Sequence, residues 1–250
     1  MQFWFKRILS GAVLFGALLP VAAHATPSTH IWAPSTDTQA FGTVHLTHDV
    51  YAPVDKDSAG NRVAPVINLG LEAGVSPSDK VGVEVGFDVI QAGVAADASP
   101  AYYNAKVATP ENALGEGMPA IAVGGYLFGT SSDKTDYNVI YGKVGRTFGS
   151  LGRLSVGYYT GNDKLLLDEL GNKANNGVMA CWEDTLSSVS DNLWAAVEYM
   201  GGDNFLGTLN IGVAWVFTPE VSVLAGYDRL NNRDLTGVAD TFTLQLDLNF

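Results

Sequence analysis

Cysteine, charge and long apolar runs are all scarce in this chain of 250 residues, and each shortage excludes something. Cys181 stands alone, so an intrachain disulfide framework is ruled out, and the residue reads as a small packing side chain rather than a nucleophile. Charged residues make up 16% of the chain, against about 25% in ordinary soluble domains. Positive charge is the scarcer kind. With 14 Lys and Arg against 26 Asp and Glu, the net charge is −12, which argues against nucleic acid or an anionic membrane surface as a partner held by charge. Past the first 25 residues, no segment stays apolar for the roughly 18 residues that a membrane-spanning helix needs. Neither G-x-S-x-G nor H-E-x-x-H occurs, so the expectation is a protein without catalysis, metal or cofactor. Two near-motifs fail on their own chemistry. The stretch from Asp55 to Gly60 begins like a calcium loop but has Ala59 where an oxygen ligand belongs and Val66 where the loop needs Glu. Gly115-Glu116-Gly117-Met118-Pro119-Ala120 imitates a dinucleotide fingerprint with a proline and no βαβ setting.

The amino terminus has a basic pair, Lys6 and Arg7, an apolar run over residues 8–23, and small residues at Ala23-His24-Ala25. This is the layout of a cleavable secretory signal, with cleavage expected after Ala25. Gly11, Gly16 and Pro20 interrupt the run and argue against a spanning helix. Removing residues 1–25 takes away Lys6 and Arg7, leaving 12 basic and 26 acidic residues. Residues 26–38 are polar, with Ile31 and Trp32 as their bulky apolar members. They read as an extended periplasmic lead-in, with Trp32 at the bilayer interface.

From residue 39 onward the pattern is period 2. At the carboxyl end Phe250, Leu248, Leu246, Leu244 and Phe242 share one parity, while Asn249, Asp247, Gln245, Thr243 and Thr241 share the other. One face is apolar and one polar. Similar alternation places strands at 40–51, 67–75, 81–89, 101–108, 119–128, 138–148, 153–160, 177–184, 193–200, 207–217, 221–227 and 239–250. Residues 119–128 are apolar on both parities and their facing cannot be assigned; if either that strand or 101–108 fails, the count becomes ten. The run Leu165-Leu166-Leu167 within the long connection 161–176 reads as a short helix or lid.

The terminal alternation closing on an aromatic residue, together with the secretory signal, resembles the bacterial outer-membrane β-barrels of porin type. That resemblance implies an all-β, antiparallel, up-and-down transmembrane barrel over 39–250, with Phe250 as an assembly signal read by the barrel-assembly machinery and outer-membrane lipid as surroundings. The connections agree: those at 76–80, 109–117, 149–152, 185–192 and 218–220 fall on one side and are mostly shorter than those at 52–64, 90–100, 129–137, 161–176, 201–206 and 228–238 on the other, the asymmetry of periplasmic turns and outer loops.

On the polar parity the ionisable residues are Asp49, Glu72, Glu84, Asp88, Glu198 and Asp247, with Lys106 and Lys143. These are the pore-lining candidates. A hairpin symmetric about Ser78 sets Glu72 across from Glu84, a repulsive pair that a cation or Lys106 would relieve. Inner-wall glycines such as Gly70, Gly82 and Gly212 leave room for water or solute, or for large neighbours. The functional expectation is passive passage of small hydrophilic solutes or ions with a weak cation preference. The alternative is a structural or adhesion barrel with a filled interior and partner-binding outer loops. Twelve-stranded outer-membrane phospholipases share such architecture, but their His and Ser pattern is absent here.

Overall fold

The computed structural model describes residues 28–56, 60–92, 100–235 and 239–250. The expected signal lies outside them. No helix of the described residues is long and apolar enough to cross a membrane.

Twelve strands form: β1 (Val44–Pro53), β2 (Val66–Gly74), β3 (Gly82–Ala92), β4 (Ala101–Thr109), β5 (Ala120–Gly129), β6 (Asp136–Thr147), β7 (Arg153–Thr160), β8 (Asn176–Thr185), β9 (Leu193–Met200), β10 (Thr208–Thr218), β11 (Val221–Leu230) and β12 (Thr241–Asn249). Each pairs antiparallel with its neighbours in sequence, and β12 returns to β1 to close the barrel. At this seam Leu46 faces Leu248, Thr47 faces Asp247 and Asp49 faces Gln245. Closure leaves no unpaired strand edge, which a sheet in lipid requires.

Burial inverts the pattern of a soluble protein. Along β10, Thr208, Asn210, Gly212 and Ala214 are buried while Leu209, Ile211, Val213 and Trp215 are exposed. On β12, Thr243, Gln245 and Asp247 are buried and Phe242, Leu244 and Leu246 exposed. An outward apolar band of this kind is stable facing hydrocarbon, not water. Aromatic rings cluster towards its rims: Phe148, Phe217 and Phe250 near the end with short turns, and Phe242, Tyr158 and Tyr199 near the end with long loops. These are called the turn end and the loop end below.

Two local departures have clear causes. In β5 the pairing with both neighbours shifts register, and Leu127 takes φ 56°. This bulge puts Tyr126 and Leu127 on the same, inner face, and with Ala120 and Ala122 inward against Ile121 and Val123 outward both parities are apolar, so the strand has no readable facing. The β2–β3 hairpin is symmetric about Asp79 rather than Ser78. Ser76 Oγ donates to Val81 O at 2.6 Å within the turn, and Glu72 faces Gly86 while Glu84 faces Gly74. The two carboxylates are therefore staggered, not opposed.

Candidate functional site: an internal hairpin and an acidic cavity

The segment expected as a periplasmic lead-in lies inside the barrel. Residues 28–39 run up from the turn end, reverse, and return to β1 as a small hairpin. Thr29 bridges Pro34, the His30 amide donates to Ala33 O at 2.9 Å, and the Ser35 amide donates to Ser28 O at 3.1 Å. Ile31, at the tip, is 1% exposed. Trp32 sits not at the bilayer interface but against Tyr51 in the lumen, edge to face with ring centroids 5.0 Å apart.

Four of the eight candidate residues hold this hairpin. The Glu198 carboxylate on β9 accepts the amides of Trp32 at 2.7 Å and Ala33 at 3.1 Å, plus Asn210 Nδ2 at 2.6 Å. Successive amides of a tight turn converge in this way on an anion, and here the wall supplies it. Glu84 on β3 joins the two arms at the base, accepting from Ser28 Oγ at 2.9 Å and from the Gln39 amide at 2.8 Å. Lys106, its partner across β4 at 3.6 Å, donates to Ser28 O at 2.7 Å. Lys143 on β6 donates to Pro34 O at 2.8 Å. Hydrogen bonds to charged groups contribute about 1.5–3 kcal/mol each.

Several anchors were not among the candidates. Arg153, at the start of β7, binds Thr36 and Asp37 and has Glu183 within 3.9 Å. Gln245 on β12 donates to Ile31 O at 2.7 Å. Arg153 and Glu183 could have been found: they share the inner parity with Ser155 and Cys181. The inner-wall glycines also have an explanation. A Cβ at Gly82 would stand 1.9 Å from Thr38 Oγ1, and one at Gly212 would stand 2.9 Å from Ile31 Cδ1. The wall is thin where the hairpin passes.

Around the hairpin, one side of the lumen is packed. Ile31 joins Cys181, Trp194, Ala196, Ala214 and Leu224 in one buried apolar cluster. Ala33 joins Tyr159, Met179, Met200, Leu166 and Leu206 in another. Leu166, 0% exposed, belongs to the connection expected as a helix or lid. It forms no helix, but turns back into the barrel with Leu167 bridged to Lys173.

On the other side lies a cavity of about 530 Å³. Asp49, Glu72 and Asp88 line it together with Asn68 and Asn104. Asn68 Nδ2 spans Asp49 at 3.1 Å and Asp88 at 3.0 Å, and Asn104 Nδ2 reaches Asp88 at 2.9 Å. Higher up, Trp32, Tyr51, Tyr102 and Phe205 contribute rings.

The eighth candidate, Asp247, is 3.4 Å from His45 Nε2 across the seam, and His45 Nδ1 is 2.8 Å from Asn249 Oδ1. Ser222 Oγ donates to the other Asp247 oxygen at 3.2 Å. The carboxylate thus stands between hydroxyl and imidazole, whereas a nucleophilic triad needs the imidazole in the middle. At the loop end Asp168, Glu169 and Asp203 bring ligand atoms within 4.8 Å of one another. Asp168 already accepts from Asn172 and the Leu170 amide, and Glu169 accepts from Asn232 at 2.5 Å, so these carboxylates tie loops together.

No protein-family profile and no curated protein matches the sequence. Solved structures do. The KdgM porin aligns over 83% of this chain and 99% of its own, with 9% identity and a TM-score of 0.52. The NanC porin aligns over 83% and 98%, with 10% identity and a TM-score of 0.48. An outer membrane channel from Pseudomonas putida F1 aligns over 83% and 94%, with 12% identity and a TM-score of 0.45. The likeness to the KdgM porin is one of fold: a closed antiparallel barrel of the outer-membrane porin type.

Proposed function

We propose that the protein is a narrow, porin-like barrel of the outer membrane that passes small hydrophilic solutes or ions, with a weak preference for cations, along the side of the lumen that the hairpin leaves free. One observation carries this reading: Asp49, Glu72 and Asp88 line a cavity in which Asp49 and Asp88 are hydrogen-bonded by the neutral side chains of Thr47, Asn68 and Asn104. A low-dielectric wall that presents carboxylates concentrates cations and repels anions. The residues act by charge and position, without chemistry on the solute. Cleavage after Ala25 would set the new amino terminus just ahead of Ser28, which Glu84 holds. The exposed Phe250 ring, on a strand that closes the seam, is offered to the assembly machinery.

Planar bilayers test this. Stable single-channel steps with a reversal potential favouring potassium over chloride are expected, and the preference should shrink in Glu72→Gln/Asp88→Asn. Anion preference, or silence from protein shown to be folded by heat-modifiable migration, would sink the reading. The second reading, a filled barrel that serves adhesion or structure, is favoured by the latching of the hairpin to β3, β6, β9 and β12. Silence of the folded protein supports it.

A further inference from the structure

The inner wall changes character along its length. Midway up the barrel the inward residues of β1 to β4 are carboxylates and amides: Asp49, Asn68, Asp88 and Asn104. At the next inward position towards the loop end, the same four strands present Tyr51, Val66, Ile90 and Tyr102. β6 follows the same course, from Lys143 through Tyr141 and Val139 to Tyr137, and β11 passes from Asp228 to Leu230. Inner positions of a barrel that holds only water are polar. Here six strands abandon that rule at the same end.

The apolar positions form one enclosure. Tyr102, Tyr137 and Phe205 make a chain of rings, with centroids 6.3 Å apart for the first pair and 5.1 Å for the second. Trp32 and Tyr51, edge to face, line the same cavity, as do Val66, Ile90 and Leu127. Of these eight side chains Tyr102 alone is buried; the others are half-buried, and the surface bounding the cavity is mostly apolar. Apolar surface left against water is unfavourable in proportion to its area, so an occupant that covers it is favoured. Rings set at these distances accept a flat ring by offset stacking or edge-to-face contact. The volume, about 530 Å³, is that of a small-molecule pocket.

The same end offers a charged ligand little. Among the described residues that line it, Asp228 is the charged one; it is 1% exposed, and its Oδ2 accepts from Thr241 Oγ1 at 2.7 Å. Glu72, Glu84, Lys106 and His45 lie nearer the turn end. A charge brought among the rings would lose water without gaining a partner.

We propose that the loop end of the cavity binds a small, uncharged aromatic molecule, monocyclic or bicyclic, in contact with Trp32, Tyr51, Tyr102, Tyr137 and Phe205. The carboxylates and amides beneath it take no part in holding it.

The site shares its cavity with the proposed pore, so binding and conductance are read separately. Titration calorimetry of the purified barrel in maltoside uses 2-naphthol, the anion 2-naphthoate, the cation 2-naphthylmethylammonium, and 1-octanol as an aliphatic alcohol. Partition into micelles does not saturate and is subtracted with a protein-free titration. Saturable one-to-one binding of 2-naphthol is expected, about tenfold or more tighter than either ion or octanol. In protein shown to be folded by heat-modifiable migration, Ile90→Asp and Phe205→Ser should each weaken 2-naphthol about tenfold, and Asp88→Asn should leave it unchanged. No saturable binding, an ion or octanol bound as tightly, binding indifferent to both Ile90→Asp and Phe205→Ser, or its loss in Asp88→Asn would overturn the proposal. The ligand series needs no variant, so it tests the site even where a substitution prevents folding. Ion conductance without 2-naphthol binding refutes this site and leaves the pore; 2-naphthol binding without conductance supports the site and removes the pore.

Discussion

The two sides of the lumen are built on opposite principles. On the side of β6 to β11, the hairpin, Leu166 and Leu206 fill the barrel with apolar side chains, as in the core of a water-soluble protein. On the side of β1 to β4, carboxylates and amides surround a cavity. The first arrangement stabilises the fold by apolar burial, and the second leaves the lumen open beside polar walls. Polar groups occur on both sides, but what they contact differs. Glu198 and Lys143 hold this chain's own backbone, whereas Asp49 and Asp88 are bonded to wall amides at the edge of the cavity.

Breaking the filled side should have the largest effect. Glu198→Ala removes the acceptor from the Trp32 and Ala33 amides, and each buried donor left unmet costs about 1–3 kcal/mol. Single-channel conductance should rise several-fold, and exchange of the hairpin amides, read by hydrogen-exchange mass spectrometry, should speed up. Unchanged exchange would mean that Glu198 is not the latch. Gly82→Leu should act in the same direction through sterics, since its Cβ would collide with Thr38 at the hairpin base. A loss of about 1–3 kcal/mol is expected, read as a lower urea midpoint for barrel unfolding.

Changes on the acidic side should leave stability alone and alter selectivity. Glu72→Lys should reverse the cation preference within the same barrel, while Glu169→Lys, out in the loops, should shift it far less. Equal shifts would erase the distinction drawn between wall and loop charge.

The smallest effect lies outside the lumen. The Asn172 side chain and the amides of Asn172, Leu170 and Gly171 hold the Asp168 carboxyl below its ordinary value. A depressed carboxyl contributes stability above its unfolded pKa and loses it as pH falls through the folded one. The 161–175 connection should therefore keep its structure at neutral pH and loosen only in acid below the usual carboxylate range, with Asp168→Asn abolishing that step in amide exchange. Loosening near neutral pH would contradict this.

Strand number and closure were legible because residues such as Leu244, Leu246 and Leu248 alternate with Gln245 and Asp247 whatever surrounds them. The facing of β5 was hidden by the inward alanines Ala120 and Ala122, which make both parities apolar, and by Leu127, whose bulge resets the parity. The hairpin was illegible for a different reason. Residues 28–39 carry no period, and their partners are far away in sequence: Gln39 meets Glu84 across 45 positions and Ile31 meets Gln245 across 214. Charged residues on the inner parity could be recognised as inward-facing, but spacing alone does not distinguish a side chain that grips a plug from one that faces solvent. Glu84 and Glu72 looked alike and have different tasks.

The bond from Gln245 to Ile31 ties the plug to the strand that closes the barrel. A slip of one residue between β12 and β1 would send Gln245 and Asp247 into lipid and bring Leu244 and Leu246 against the hairpin tip and His45. A barrel zipped in the wrong register would therefore lose this bond to the plug.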